Sequence, residues 1–467
     1  MSDPRSLIPS VDSIVAAEAA ADVVARFGRA RVVHAVRAAV DAVRAGLSGS
    51  GGGPEPHEDM TDPAIYLDRA RRALEHAEVP SLRHVINATG VVLHTNLGRA
   101  PLAEDAVRAM RDVAGRYTNL EFDLDSGVRG SRYVHCVSLL TDLTGAEDAL
   151  VVNNAAAALV LALNTFGQGR GVAVSRGELV EIGGGFRIPE MLERAGARLV
   201  EVGSTNRTRV GDYVEVVEAG EVAAVLKVHR SNFRITGFTE EASVGELSAL
   251  CRTHGLPLVH DLGSGLLIDA GALGLPEEPR AVDSLRAGSD IVVVSGDKLM
   301  GATQAGVILG RGAHVARMRK NPLCRALRVD KVTLAGLEAT LRLYGDPARV
   351  VRTVPTLAML SADKEALESR ARALAEALEH AGIRAEVVAT AGAVGGGTYP
   401  GVELASWGVE MRHSAGADAL AAALRQGDLP VIGRIVDDGL RLDVRTVLPG
   451  QDEALVQCVL EAWRRAG

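Results

Sequence analysis

The chain reads as an α/β protein. A large domain on a mostly parallel sheet is preceded by a small helical domain and followed by an α+β domain. Three observations predict this. Between about residues 85 and 345 short β-branched runs alternate with helical stretches, as in a parallel sheet with helices on both faces. Most of the runs are continuously apolar, as expected for strands buried on both sides. And 467 residues at 47% apolar composition are enough for two or three domains.

Residues 1–84 form the expected helical domain. An Ala-rich stretch carries Val23, Val24, Phe27, Val32, Val33, Val36 and Val40 at roughly amphipathic-helix spacing. Ser48 to Pro56 (SGSGGGPEP) reads as a flexible break. Thr61 to Glu78 reads as a further helix, with Asp62-Pro63 as its start signal. Residues 85–345 form the large domain. Its strands are expected at Ala149–Val152, Gly171–Val174, Arg198–Val202, Ala223–Val228, Leu258–His260 and Ile291–Val294. Residues 346–467 form the last domain: a helix at Ser361–Ala381, strands at Ala385–Val388 and Gly439–Val444, and a closing helix from about Gln451 to Arg465. Ligands in such folds sit at the carboxyl ends of strands.

Composition excludes several classes. No apolar run approaches the roughly 20 residues that span a bilayer, and residues 1–10 lack a signal-peptide pattern, so a cytoplasmic protein with no membrane partner is expected. Cys136, Cys251, Cys324 and Cys458 are scattered, without a CxxC pair; neither a disulfide framework nor a metal site is expected. The net charge of −8 argues against nonspecific coating of nucleic acid, and no DNA partner is expected. Only five of the 51 basic residues are lysines (Lys227, Lys298, Lys320, Lys331, Lys364), so few amines are available for chemistry.

One amine stands out. Ile291–Val294 runs directly into Ser295-Gly296-Asp297-Lys298. A lysine at the end of a buried strand is costly to desolvate, and burial makes its amine a nucleophile toward an aldehyde. The bland alternative is a lysine that snorkels to solvent. A second buried strand ends in Asp261, 37 residues earlier. An aspartate facing a pyridine nitrogen keeps it protonated, which the electron sink of pyridoxal phosphate (PLP) requires; alone, Asp261 reads equally as a turn or cap residue. Asn154 and Ala155 open an Ala-rich helix after a third strand, a setting for the cofactor phosphate or for ordinary capping. Ser295 is a candidate for a phosphate oxygen, and Ser264, just past Asp261, is counted as a cofactor contact. His229, Ser231 or Asn232, after a fourth strand, is a candidate for the ring or its phenolic oxygen. Lys227, inside that strand, is the rival amine.

These residues resemble bacterial selenocysteine synthases, the L-seryl-tRNA(Sec) selenium transferases, over nearly the whole chain. The most specific stretches are Ile86 to Pro101 (INATGVVLHTNLGRAP), Ser175 to Gly184 (SRGELVEIGG) and Ser295-Gly296-Asp297-Lys298; Leu7 to Asp12 and Val394 to Gly397 also fit. The resemblance implies a PLP enzyme of fold-type I, with Lys298 carrying the cofactor and Asp297 beside it in the catalytic pocket. It implies that Arg99, Arg325 and Arg328 bind the phosphate-like end of the selenium donor, as guanidinium forks suit a dense anion. Without it, Arg325 and Arg328 read as a helix-surface pair in ordinary salt bridges. Arg434 and Arg445 read as a clamp for a substrate carboxylate, a poor fit to a seryl group esterified to tRNA. The implied partners are seryl-tRNA(Sec), gripped by the N-terminal domain, and selenophosphate. The implied assembly is a homo-oligomer, a decamer made as a pentamer of dimers. The first 84 residues hold ten arginines, no lysine and twelve acidic residues, so tRNA recognition there must rest on shape and a few placed contacts.

The implied reaction converts seryl-tRNA(Sec) to selenocysteinyl-tRNA(Sec). Lys298 takes the Cα proton, the ring with Asp261 at its nitrogen takes up the electrons, and the β-hydroxyl leaves with help from Asp297. Selenium from selenophosphate then adds to the resulting aminoacrylyl-tRNA. Two other readings remain. One is a related PLP lyase acting on a small amino acid or amino sugar, for which the N-terminal domain is a costly addition. The other is a noncatalytic tRNA-binding scaffold, against which intact Lys298 and Asp261 argue.

Overall fold

The computed structural model describes residues 7–47, 59–183 and 185–467. The expected break at Ser48–Pro56 lies outside these residues. The chain divides into two compact units, residues 1–84 and 85–467.

The first unit is helical. Helices span Val11–Ala16, Ala21–Phe27, Arg29–Gly46 and Pro63–Glu78. The long helical reading breaks at Gly28, whose φ of 82° is a conformation that favours glycine. The fourth helix starts at Pro63 behind Asp62, whose carboxylate accepts from the Ala64 amide, satisfying a first-turn donor. Ile14, Val32, Val36 and Val40 pack with Tyr66, Leu67 and Leu74 into a core of this unit's own.

The second unit is built on a seven-stranded sheet. Its strands are β1 (Asp148–Val152), β2 (Gly171–Ser175), β3 (Arg198–Val202), β4 (Val222–Val228), β5 (Leu258–Asp261), β6 (Ile291–Ser295) and β7 (Gly306–Gly310). The spatial order is β1-β7-β6-β5-β4-β2-β3. All run parallel except β7, which pairs antiparallel with both β6 and β1. Along β6, Val292 and Val294 enter one core while Ile291 and Val293 enter another. Burial on both faces is why the strand lacks polar alternation. Strand β7 was not foreseen: its GVILG run lies close behind β6, where a helical crossover was the expectation. The short return is possible because β7 is antiparallel.

A second sheet of five strands contains β8 (Ala385–Gly395), β9 (Thr398–Met411), β10 (Arg434–Val436) and β11 (Gly439–Asp443), in the order β10-β11-β9-β8. Its fifth strand is Val91–Leu93, which pairs parallel to β8, and Ile86–Asn87 pairs with Val431–Ile432. These residues lie within the stretch read from sequence as the large domain, yet their hydrogen bonds go to the C-terminal part. Such short segments carry no signal for their pairing partner. The helices Lys364–His380 and Asp452–Ala466 cover this sheet, with Leu367, Leu374, Leu378, Leu455 and Val459 in its core. Strand β9 was also not expected; Pro400 and Gly401 near its start and Gly408 further along read as turn and break residues. Among the described residues no helix is long and apolar enough to cross a membrane.

Candidate active site

Three strands of the large sheet, β1, β5 and β6, end at one cavity, where the antiparallel β7 begins. Strand β6 delivers Ser295 into a turn that carries Lys298. The turn is pinned by backbone bonds: Gly296 N donates to Ala305 O at 2.9 Å, Ala302 N to Gly296 O at 2.8 Å, and Leu299 N to Ser264 O at 3.0 Å. A side chain on Gly296 would sit 2.5 Å from the Thr303 carbonyl oxygen, so the turn closes only around glycine. Lys298 is 5% exposed. Burial holds its amine below the ordinary lysine range; Asp261 works against this and Arg99 adds to it.

Strand β5 delivers Asp261, which is 7% exposed. Burial pushes its carboxyl up to about 6, against the opposing influence of Lys298 and His229. A β-carbon on Gly263 would lie 3.7 Å from Lys298 Nζ and 3.9 Å from Asp261 Oδ1. Amine and carboxylate therefore flank one point in space.

Strand β1 leads into helix α1 (Ala155–Gly167), capped by Asn154, whose Oδ1 accepts from Ala157 N at 2.8 Å. The first-turn amides of a helix have no intrahelical acceptor and attract an anion. Asn154, Ala155, Ser295, Asp261, Lys298 and Arg99 line one cavity of about 320 Å³, at the small end of the range for cofactor sites. Ala156, Gly183, Gly263 and Gln304 complete it. Sequence reasoning missed these four, and Gln304, in an irregular link, carried no signal.

Arg99 and Asp297 form an ion pair, NH1 to Oδ2 at 2.8 Å, and Ser295 Oγ donates to the other carboxylate oxygen at 2.9 Å. Ser295, expected to reach a phosphate oxygen, thus spends its hydroxyl proton on Asp297. Arg99 sits at φ 62°, an uncommon conformation for a side-chain-bearing residue. Its backbone is held there by the bond from Arg99 N to His94 O at 3.1 Å.

Other expected residues fall elsewhere. Ser264 is wholly buried and does not line the cavity; its carbonyl supports the Lys298 turn, and its hydroxyl has no hydrogen-bond partner among the described residues. His229 hydrogen-bonds Glu278 at 3.1 Å and lines a neighbouring cavity, while its backbone N donates to Asp261 O at 2.8 Å. The buried Glu278 gave no sign of itself in the sequence. Arg325 and Arg328 line a separate basic cavity with Arg132, Arg319 and Lys320. Neither forms an ion pair among the described residues, unlike the salt-bridged surface pair that composition alone suggests. Lys227 is buried in a pair with Glu178, Nζ to Oε1 at 2.9 Å, and does not line the Lys298 cavity. Arg445 donates to Met359 O and Ala405 O at 2.5 and 2.6 Å, and Arg434 to Ala391 O at 3.1 Å. The geometry offers no carboxylate clamp from this pair. Cys136, Cys251 and Cys324 are buried free thiols and Cys458 is half-buried.

Residues 85–448 match the family described as L-seryl-tRNA selenium transferase, and residues 5–44 match the N-terminal family of selenocysteine synthase. The L-seryl-tRNA(Sec) selenium transferase of Solidesulfovibrio magneticus is 50% identical over 97% of both chains. That of Moorella thermoacetica is 51% identical over 87% of both. Among solved structures, a D-glucosaminate-6-phosphate ammonia-lyase superposes with a TM-score of 0.56 at 21% identity, over 82% of this chain and 97% of its own. That likeness concerns the fold.

Proposed function

The chain belongs to the L-seryl-tRNA selenium transferase family, and on that premise we propose how its residues carry the reaction. It is a fold-type I enzyme that converts seryl-tRNA(Sec) to selenocysteinyl-tRNA(Sec) with PLP as cofactor and selenophosphate as selenium donor. The observation that carries the assignment of roles is the buried amine and buried carboxylate flanking one point beside a helix N-terminus.

The residues fit PLP by the chemistry of their groups. Lys298 supplies the amine for its aldehyde, Asp261 the acceptor for its ring nitrogen, and the first turn of α1 behind Asn154 and Ala155 the donors for its phosphate. When bound, PLP supplies a ring that takes up the electron pair released at the substrate Cα. Lys298 Nζ moves the Cα proton, a task for which its burial-lowered proton affinity suits it. Asp261 holds a proton at the ring nitrogen. Asp297, with both oxygens accepting from Arg99 and Ser295, orients Arg99 and stands close to the departing β-hydroxyl. Ser264 holds the lysine turn, and His229 supports the strand end that carries Asp261.

Arg99, Arg325 and Arg328 bind selenophosphate. In one chain the last two lie in their own basic cavity. We infer a homo-oligomer, a dimer assembled further into a decamer, in which the basic cavity of one copy faces the lysine cavity of the other. Residues 1–84 grip the tRNA, and the enzyme works in the cytoplasm. Likeness of fold to an amino-sugar lyase does not compete with this reading, since one fold hosts many reactions. The test is incubation of the PLP-loaded enzyme with seryl-tRNA(Sec) and selenophosphate. Selenocysteine on the recovered tRNA is expected; serine alone would contradict the reading.

A further inference from the structure

The geometry points to a subsite for the unpaired 3′-terminal nucleoside of the aminoacylated tRNA, in the cavity beside the lysine site. The inference rests on the function proposed above and concerns where that substrate's ester-linked end lies.

This cavity, of about 520 Å³, is lined by His229, Phe233, Arg234, Glu278 and Tyr399 among others, and its size suits a small-molecule moiety. It has no lining residue in common with the lysine site, and the two are joined through His229 and Asp261. His229 is bonded through its backbone to Asp261 and through its imidazole to Glu278. The ester-linked end of a substrate seated at Lys298 is placed by this inference on the His229 side of Asp261.

Its groups match a nucleoside. Tyr399 is 3% exposed, yet its hydroxyl has no hydrogen-bond partner among the described residues; a buried hydroxyl so left is costly and is met by a ribose or base polar atom. Its φ of 52° is a strained conformation that the surrounding structure must enforce. Phe233 is 36% exposed and offers a ring on which a base stacks, as single-stranded RNA recognition uses. Arg234 is exposed and has no ion pair among the described residues, leaving its guanidinium for the terminal phosphate. Of the three carboxylates in the wall, Glu241 is answered by Arg230 at 2.8 Å and Glu278 by His229 at 3.1 Å, while Glu277 is exposed to solvent, without an ion pair among the described residues. The substrate's own chemistry requires such a space. A seryl ester has no free carboxylate for a guanidinium to bind, and its ester oxygen continues directly into the ribose. Arg445 donates from both terminal nitrogens to carbonyls, and only its buried Nε is without a partner among the described residues.

The experiment is steady-state kinetics of the PLP-loaded full chain with seryl-tRNA(Sec), comparing wild type with Phe233→Ala, Arg234→Ala and Tyr399→Phe. The expected result is a rise of about 10-fold in KM for seryl-tRNA(Sec) in the alanine variants, in line with the loss of one stacked base, and a smaller rise in Tyr399→Phe. The KM for selenophosphate stays within about twofold of wild type, and so does binding of a tRNA(Sec) lacking its 3′-terminal nucleotide. Wild-type KM in all three variants overturns the inference, as does an equal loss of affinity for the shortened tRNA. Absence of selenocysteine formation by the wild type overturns the function itself, a separate and distinguishable result.

Discussion

At the scale of single residues the proposed chemistry rests on two buried groups, Lys298 and Asp261. On that proposal Lys298→Ala removes both the cofactor's anchor and the base, and turnover is expected to fall at least about 1000-fold, within the range that general bases contribute, with loss of the cofactor's visible absorption. Asp261 makes a pH prediction. Its folded pKa stands at about 6 against an ordinary value of 3.8, so between those values the folded chain keeps a proton that the unfolded chain has released. The Asp261 contribution to the stability of the cofactor-free protein should therefore fall as pH rises from about 4 to about 6, by at most about 3 kcal/mol. Melting curves of wild type and Asp261→Asn across that range check it: the wild type should lose stability relative to the variant as pH rises, and parallel curves would contradict it. Lys298, with its folded value lowered, acts with the opposite sign, adding stability as pH rises toward 10.5. The burial of both was legible in the sequence because each follows an apolar strand. The partners of Ser264 and Ser295 were not: a hydroxyl's partner depends on which backbone or carboxylate the turn brings to it; Ser295 lines the cavity but donates to Asp297, and Ser264 lies outside it.

At the scale of elements, strand ends and glycines hold the site in shape. A β-carbon on Gly306 of β7 would lie 2.1 Å from the Asn154 carbonyl oxygen and 3.0 Å from Ala155 N. Gly306→Ala is expected to displace the start of α1 and weaken cofactor retention by about 10-fold, about 1.4 kcal/mol, measured by equilibrium dialysis against PLP. The other lysine of the strand layer is a structural element. Lys227 pairs with Glu178, whose second oxygen accepts from Val228 N at 2.9 Å. Glu178→Ala strands a buried ammonium and should cost about 3–5 kcal/mol in denaturant unfolding, with Glu178→Gln/Lys227→Met recovering most of it. The parallel strands were readable because burial on both faces leaves unbroken apolar runs. Strand β7 and the pairing of Val91–Leu93 with β8 were not, since pairing partners across hundreds of residues leave no local mark. The basic cavity of Arg325 and Arg328 shows the same limit: the residue types were readable, their placement away from Lys298 was not.

At the scale of the whole molecule the two units carry separate cores, and the proposed function assigns tRNA binding to the first and chemistry to the second. A chain of residues 85–467 should retain PLP while losing most of its affinity for tRNA(Sec), at least about 10-fold, with a weaker salt dependence because fewer phosphates are contacted. Filter binding at two salt concentrations checks this; equal affinity in both chains would remove the tRNA role of the first unit. The claim beneath all of these is that Lys298 is the amine that holds the cofactor. Borohydride reduction of the PLP-loaded enzyme, followed by proteolysis and mass mapping, tests it most directly. The pyridoxyl mass is expected on the peptide containing Lys298; its appearance on the Lys227 peptide, or on none, would contradict the account.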